Sequence, residues 1–414
     1  MEKFSDPRNR RDYSISELVV GGIWLFILKE GSRNEMNLEA KEEIFRKNYE
    51  GLLGLSLPHM DTVDALFREL KENELEQLKA ELISILIEKK VLDKSRLFNG
   101  DFMVAYDGTG MSTYDADYCG ECLHRTYSTG STTYFHYVLE AKLVTESGLS
   151  LSLATEWIAN TDKEYDKQDC ELNAFVRLAA KVKKLYPRLP TCVLLDGLFT
   201  NKTGFDTCRR HNWNYITNFK DGNLRSVWEE IRLLPDSGFS THHKETTTKN
   251  HLLTQDFRYT HALEYGGHSL NYIECKEKLV NKSTGELTEK RFVHLTNLVM
   301  DRTTAPLVSQ GGRFRWRIEN EGFNTQKNQE YNLEHKFSRV SFLALKNYYQ
   351  CMQIGHLINQ LVEHSTAIAE KIRDDPKLTI KHLWKQVRSI LGFVDLEEEI
   401  QDLQQKRRCQ IRLT

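Results

Sequence analysis

Residues 192–197, Cys192-Val193-Leu194-Leu195-Asp196-Gly197, decide how this chain is read. An apolar run closing on Asp-Gly ordinarily marks a hairpin turn. Here, however, a helix-like segment near Gly204 to Arg210 follows instead of a returning strand, and Cys170 to Tyr186 before it has amphipathic helical spacing. A strand set between two helices belongs to an α/β sheet, and a carboxylate at its C-terminal end points into the crevice where open α/β sheets place ligands. Tyr215 to Phe219 reads as the next strand. Upstream, Phe102-Met103-Val104-Ala105-Tyr106-Asp107 is a second apolar run ending in a carboxylate, again followed by glycine. Thr133 to Val144 and Leu149 to Trp157 read as its extended neighbours, joined by turn residues such as Ser147-Gly148.

A three-stranded lead followed by alternating helix and strand fits an α/β sheet of mixed strand directions, the order found in RNase H-like folds. Ahead of it, Ala65, Leu66, Leu70, Leu75 and Leu78 recur at helical spacing. Beyond it, Ser269 to Cys275 and Arg291 to Val299 are β-rich, and Asn281-Lys282-Ser283-Thr284-Gly285 between them is turn chemistry, so a hairpin or small β-insertion is expected. Helices return through Leu343 to Val362 and Leu378 to Leu391.

The 414 residues exceed what one core usually organises. An apolar content of 40% and a charged content of 28% describe an ordinary globular protein, and a formal charge of −2 leaves room for local basic clusters. One such cluster is Arg8, Arg10 and Arg11. The longest apolar run, Leu18 to Leu28, is too short to span a bilayer and lacks a small-residue cleavage site, so it reads as a buried helix. No membrane partner is expected. The eight cysteines form no dense framework of short spacings, and a reducing cytoplasm is the simplest home.

Arg313 to Ile318 alternates arginine with Phe314, Trp316 and Ile318, which is the period of a strand, and Gly322 weakens a helix. If the segment is helical instead, Arg315 and Glu319 share one face and can act together on one phosphate or metal. With Asp107 and Asp196, Glu319 makes a set of carboxylates suited to metal-dependent phosphoryl transfer.

The blocks Val104-Ala105-Tyr106-Asp107-Gly108-Thr109, Val193-Leu194-Leu195-Asp196-Gly197-Leu198 and Arg315-Trp316-Arg317-Ile318-Glu319-Asn320-Glu321-Gly322-Phe323-Asn324 resemble those of bacterial insertion-sequence DDE transposases. The resemblance implies an RNase H-like catalytic core, a β-rich insertion between the second aspartate and the glutamate, and a helix for the glutamate. It makes Asp107, Asp196 and Glu319 the catalytic, metal-binding triad, holding Mg²⁺ or Mn²⁺, and gives Arg315 a DNA phosphate. The family signature has a tyrosine three residues before that arginine and a lysine seven after the glutamate. Gly312 and Gln326 stand at those positions here, with Lys327 one step further.

On this reading the chain divides into a helical N-terminal region over 1–96, carrying Arg8, Arg10 and Arg11 for DNA, and a first part of the core over 97–236. A β-rich insertion over 237–301, the second part of the core over 302–372 and a helical tail over 373–414 complete it. The resemblance implies binding to element ends and target DNA, self-association into a synaptic complex, and a cytoplasmic, nucleoid-associated home in a bacterium. The competing functions are an RNase H-like nuclease and a catalytically inactive DNA-binding regulator of transposition.

Other motifs have bland readings beside sharp ones. Cys119-Gly120-Glu121-Cys122, with His124 and His136 beyond, is half a zinc site, since a second ligand pair at comparable spacing is missing; local packing is its alternative. Glu156 and Glu171 are secondary candidates for orienting the site, although an acidic first helical turn also explains Asp169-Cys170-Glu171. Tyr331 to Phe337 mixes groups that stack on bases with groups that pack a core.

Overall fold

The computed structural model describes residues 4–8, 12–117, 119–160, 169–405 and 412–413. Arg10 and Arg11 therefore lie outside the described residues. Five helices open the chain, α1 (Ile15–Ile27), α2 (Arg33–Glu39), α3 (Glu43–Leu53), α4 (Met60–Phe67) and α5 (Glu72–Glu88). Ser14 and Glu17 form a reciprocal capping box that fixes the start of α1. Its apolar run is buried inside the protein, as the sequence predicts. Among the described residues no helix is long and apolar enough to cross a membrane.

Strands β1 (Phe102–Tyr114), β2 (Leu123–Thr126), β3 (Thr132–Val144) and β4 (Ser150–Ile158) come next, followed by α6 (Glu171–Leu185), β5 (Thr191–Leu195), α7 (Lys202–Arg210), β6 (Asn214–Asn218) and α8 (Arg225–Leu233). Then come β7 (Ser240–Thr247), β8 (His251–Tyr265), β9 (His268–Asn281) and β10 (Leu287–Thr296). All belong to one ten-stranded mixed sheet ordered β2-β3-β1-β5-β6-β10-β9-β8-β7, with β4 on β3. The antiparallel pairs β1–β3 and β3–β4 meet the parallel pairs β1–β5 and β5–β6 at β1.

Between Tyr215 and the last helices, the sequence reading found two of the four strands over 240–296. The hairpin of β7 and β8 went unseen because Ser240–Thr247 is almost wholly exposed and carries no apolar period. The turn over Asn281–Gly285 forms, with the Asn281 side chain accepting the Ser283 and Thr284 N–H groups. These strands do not stand apart: β10 pairs through His294–Thr296 with Ile216–Asn218 and so continues the sheet.

After β10 the chain forms α9 (Thr304–Arg313), a π-helical turn over Ile318–Asn324 and α10 (Thr325–Asn328). It closes with α11 (Phe342–Glu363), α12 (Thr366–Asp374), α13 (Ile380–Phe393) and α14 (Glu397–Gln405). Helix α1 packs closely on α11 and α4 because Gly355 and Gly22 have no side chain: a Cβ at Gly355 would lie 2.8 Å from Phe26 of α1, and one at Gly22 2.7 Å from Phe67 of α4.

The central strands are covered on both faces. Phe102, Val104, Tyr106, Val193 and Leu195 join one buried cluster with α6, while Met103, Ala105, Cys192 and Leu194 join another with Ala305, Val308, Phe314, Ile318 and Phe323. Alternation along a strand therefore accounts for both runs being continuously apolar.

Candidate active site

The parallel register pairs Met103 with Cys192, Val104 with Val193 and Ala105 with Leu194. Carried two residues further, it sets Asp107 level with Asp196, which follows the end of β5; β1 itself runs on to Tyr114 on its β3 side, so Asp107 stands within the strand, where the parallel pairing stops, and not at the strand end that the sequence suggests. Asp107 shares the parity of Met103 and Ala105, and Asp196 that of Cys192 and Leu194. Both thus follow the face covered by Phe314, Ile318 and Phe323. The Gly108 N–H, within β1, donates to Asp107 at 2.9 Å, and Asp196 caps the turn that follows β5, accepting the Leu198 N–H at 2.8 Å.

The third carboxylate arrives on the π-helical turn. The Arg315 guanidinium bridges the two regions, donating through Nη1 to Asp107 at 2.9 Å and through Nη2 to Glu319 at 2.7 Å. Its side chain is only 6% exposed, so the bridge forms largely out of water. Burial pushes the Asp107 carboxyl up to about 7; the Glu319 carboxyl beside it pushes the same way and Arg315 opposes. Two carboxyls within mutual hydrogen-bonding reach, around one buried cation, mark a place where negative charge has been gathered.

The turn is seated by residues below it. Gly322 lets it lie against Lys142, whose Cδ would be 3.4 Å from a Cβ there, and the Lys142 ammonium is 5.3 Å from the Phe323 ring centre. Lys142 is fully buried, and burial lowers its pKa to about 8.

Two groups approach from the opposite face. A Cβ at Gly108 would lie 2.4 Å from the Tyr137 ring and 3.1 Å from Glu171 Oε1, so glycine is what lets both reach this edge. Tyr137 and Glu171 share a hydrogen bond, and burial raises both pKa values, with Asp196 adding to each. Glu156 takes another course, pairing with Arg177 at 2.6 Å and Lys181 at 3.1 Å. Sequence reasoning did not find Tyr137, which lies mid-strand with no pattern to single it out; the signal was the glycine after Asp107, which calls for a bulky neighbour across the strand.

The remaining sequence-derived positions divide clearly. Gly312 abuts His294, whose ring atoms would lie 2.4–3.0 Å from a Cβ, so the family tyrosine has no room there. Gln326 is buried and bonds Gln353 and His356 at 2.9 Å each. Lys327 pairs with Glu334 at 2.9 Å. Arg8 pairs with Asp6 at 2.9 Å and donates to the Tyr13 carbonyl. Tyr331 and Phe337 are core residues. Trp213, Trp228 and Trp384 are buried, whereas Trp316, beside Arg315, is 51% exposed.

All three groups are carboxylates, the oxygen donors that hard divalent cations take, and in this arrangement the Arg315 guanidinium occupies the place between two of them. Among the described residues, Asp107, Asp196 and Glu319 do not converge as tightly as Cys119, Cys122 and His136, whose ligand atoms all lie within 4.8 Å of one another.

No family model matches the chain, and no curated protein matches it. Among solved structures it is similar to the piggyBac transposase in a synaptic complex with hairpin DNA, at 7% identity and a TM-score of 0.39, over 95% of this chain and 76% of that one. At that distance the likeness carries no weight for function.

Proposed function

We propose that this chain is a DDE transposase of the bacterial insertion-sequence kind, with an RNase H-like core. It would cut DNA at the ends of its element and join the freed 3′ hydroxyl to target DNA. The observation that supports this reading is the buried Arg315 bridge between Asp107 and Glu319, with Asp196 directly after the parallel strand beside β1. The strand order β4-β3-β1-β5-β6, three antiparallel strands and then two parallel to the first, supports the RNase H-like assignment.

In this reading Asp107, Asp196 and Glu319 hold Mg²⁺ or Mn²⁺. When bound, the metal activates the attacking oxygen and stabilises the leaving one during in-line displacement at phosphorus. The chain's own groups prepare that chemistry. Arg315 keeps Asp107 and Glu319 facing one another, and its fork would suit a phosphate of the DNA. Tyr137 and Glu171 lie close enough to Asp196 to feel its charge. Exposed Trp316 adds a flat apolar surface for a base beside the same arginine. DNA, a second copy of the chain in a synaptic complex, and a nucleoid-associated place in the cytoplasm belong to the same proposal.

The test is cleavage and joining of DNA carrying the element's ends, with Mg²⁺ or Mn²⁺, comparing wild type with Glu319→Gln. We expect the variant to bind DNA and fail to cut or join it. Equal activity in both proteins would remove Glu319 from the site. DNA binding without cleavage by the wild type would instead favour the inactive regulator, and cutting without joining the nuclease.

A further inference from the structure

A second cluster lies on the far side of β1, in the loop that leaves it. We infer that Cys119, Cys122 and His136 form a zinc site that fastens this loop to β3. The inference is independent of the proposed transposase activity.

The chain itself brings the ligands together. Strand β2 pairs with β3 so that Leu123 faces Phe135 and His124 faces Tyr134. Continuing that register by one residue puts Cys122 opposite His136. The cysteine three residues earlier is returned to the same point by a turn in which Gly120 adopts a positive φ of 73° and its N–H donates to Asp117 at 2.9 Å. The two Sγ atoms lie 3.2 Å apart, and His136 Nε2 is 3.7 Å from Cys119 Sγ and 3.8 Å from Cys122 Sγ. Zinc bonds of about 2.3 Å to sulfur and about 2.0–2.1 Å to nitrogen put tetrahedral ligand atoms roughly 3.5–3.8 Å apart. The two sulfur–nitrogen distances are therefore within a few tenths of an ångström of what the ion requires, and the sulfurs need part by only about half an ångström to receive it. Thiolate and imidazole are also the donors that zinc prefers and that Mg²⁺ does not.

The surroundings hold this geometry. His136 stacks on Phe342 with ring centres 3.8 Å apart and planes within 6°, which fixes the direction of its imidazole. Asn160 donates to the Cys122 carbonyl at 3.1 Å, and the Asn160 N–H donates to the Glu121 carbonyl at 3.2 Å, tying the loop to the end of β4. Cys122 and His136 are buried. Asp117 stands in the same loop as a carboxylate source for the fourth position, which zinc otherwise gives to water. The sequence brought His124 forward as readily as His136, but β2 directs His124 toward Tyr134 at a ring distance of 6.0 Å.

The test is metal analysis of the full chain purified without added metal, together with the visible spectrum after exchange into Co²⁺. We expect about one zinc per chain and thiolate-to-cobalt charge-transfer bands. Cys119→Ser, Cys122→Ser and His136→Asn should each reduce retained zinc at least tenfold after dialysis against a mild chelator, while His124→Asn retains it. Because a cysteine variant can fail to fold, the cobalt spectrum of the wild type stands as a separate readout. Wild-type protein without zinc and without thiolate–cobalt bands, or with Cys119 and Cys122 joined as a disulfide, would overturn the site. Zinc lost by His124→Asn but kept by His136→Asn would overturn the ligand assignment.

Discussion

The two halves of the ten-stranded sheet follow different plans. In β5 every residue is buried, and in β1 Phe102–Tyr106 are, because helices cover both faces. In β7, by contrast, only His242 is even partly buried. The first half organises the core, and its fully buried runs give way to Asp107 and Asp196. The second is a ribbon whose β10 leaves the core where β6 ends, on the same edge as those carboxylates, since β1, β5 and β6 run parallel. Rigid placement and outward reach are thus divided between parts of one hydrogen-bonded surface.

The sharpest way to break this comparison is to neutralise the rigid half's edge. Asp107→Asn or Asp196→Asn should lower metal-dependent strand cleavage at least ~10³-fold, the scale of a lost metal contact worth several kcal/mol, without lowering thermal stability. Residual cleavage near wild type would mean that these two carboxylates are structural.

Next in size is packing. Leu194 is fully buried, so Leu194→Ala should cost about 2–5 kcal/mol in urea denaturation. A cost under ~1 kcal/mol would show that the doubly covered strands do not dominate stability.

At the junction of the halves, His294 on β10 tests pH. Burial, with Arg313 adding to it, lowers its pKa from 6.5 to about 3. The unfolded chain takes up a proton near 6.5 and the folded chain not until about 3, so this contribution is fully present above 6.5 and is lost as pH falls toward 3, at up to about 1.4 kcal/mol per pH unit. His294→Gln should flatten the stability profile across that window; an unchanged slope would place the acid sensitivity elsewhere.

The smallest effect belongs to the ribbon. Leu287 is 53% exposed, and Leu287→Ala should change stability by no more than about 0.5 kcal/mol. A loss comparable to that at Leu194 would mean another surface covers the ribbon in solution.

What could be read from the sequence follows the same division. Apolar runs ending in Asp107 and Asp196 were legible because strands buried on both faces need apolar residues at every position. The β7–β8 hairpin was not, since exposed Thr, His and Lys residues leave no alternation to detect. Arg315 and Glu319 were the hardest: Phe314, Trp316 and Ile318 alternate like a strand, while the backbone forms a π-helical turn whose i→i+5 spacing matches neither the helical nor the strand period. Only the resemblance to a known signature pointed to a helix there. The register that sets His136 opposite Cys122 was equally hidden, because pairing across a loop leaves no local spacing.

Strand β10 belongs to both halves, and that has a mechanical meaning. Its ten residues, at about 3.4 Å each, make a bar of roughly 34 Å, clamped at one end by the rungs from His294–Thr296 to β6. A load applied near Leu287, where β10 is paired with β9 alone, acts as torque about that clamp. The strand that receives it, β6, lies one rung from the one that ends at Asp196.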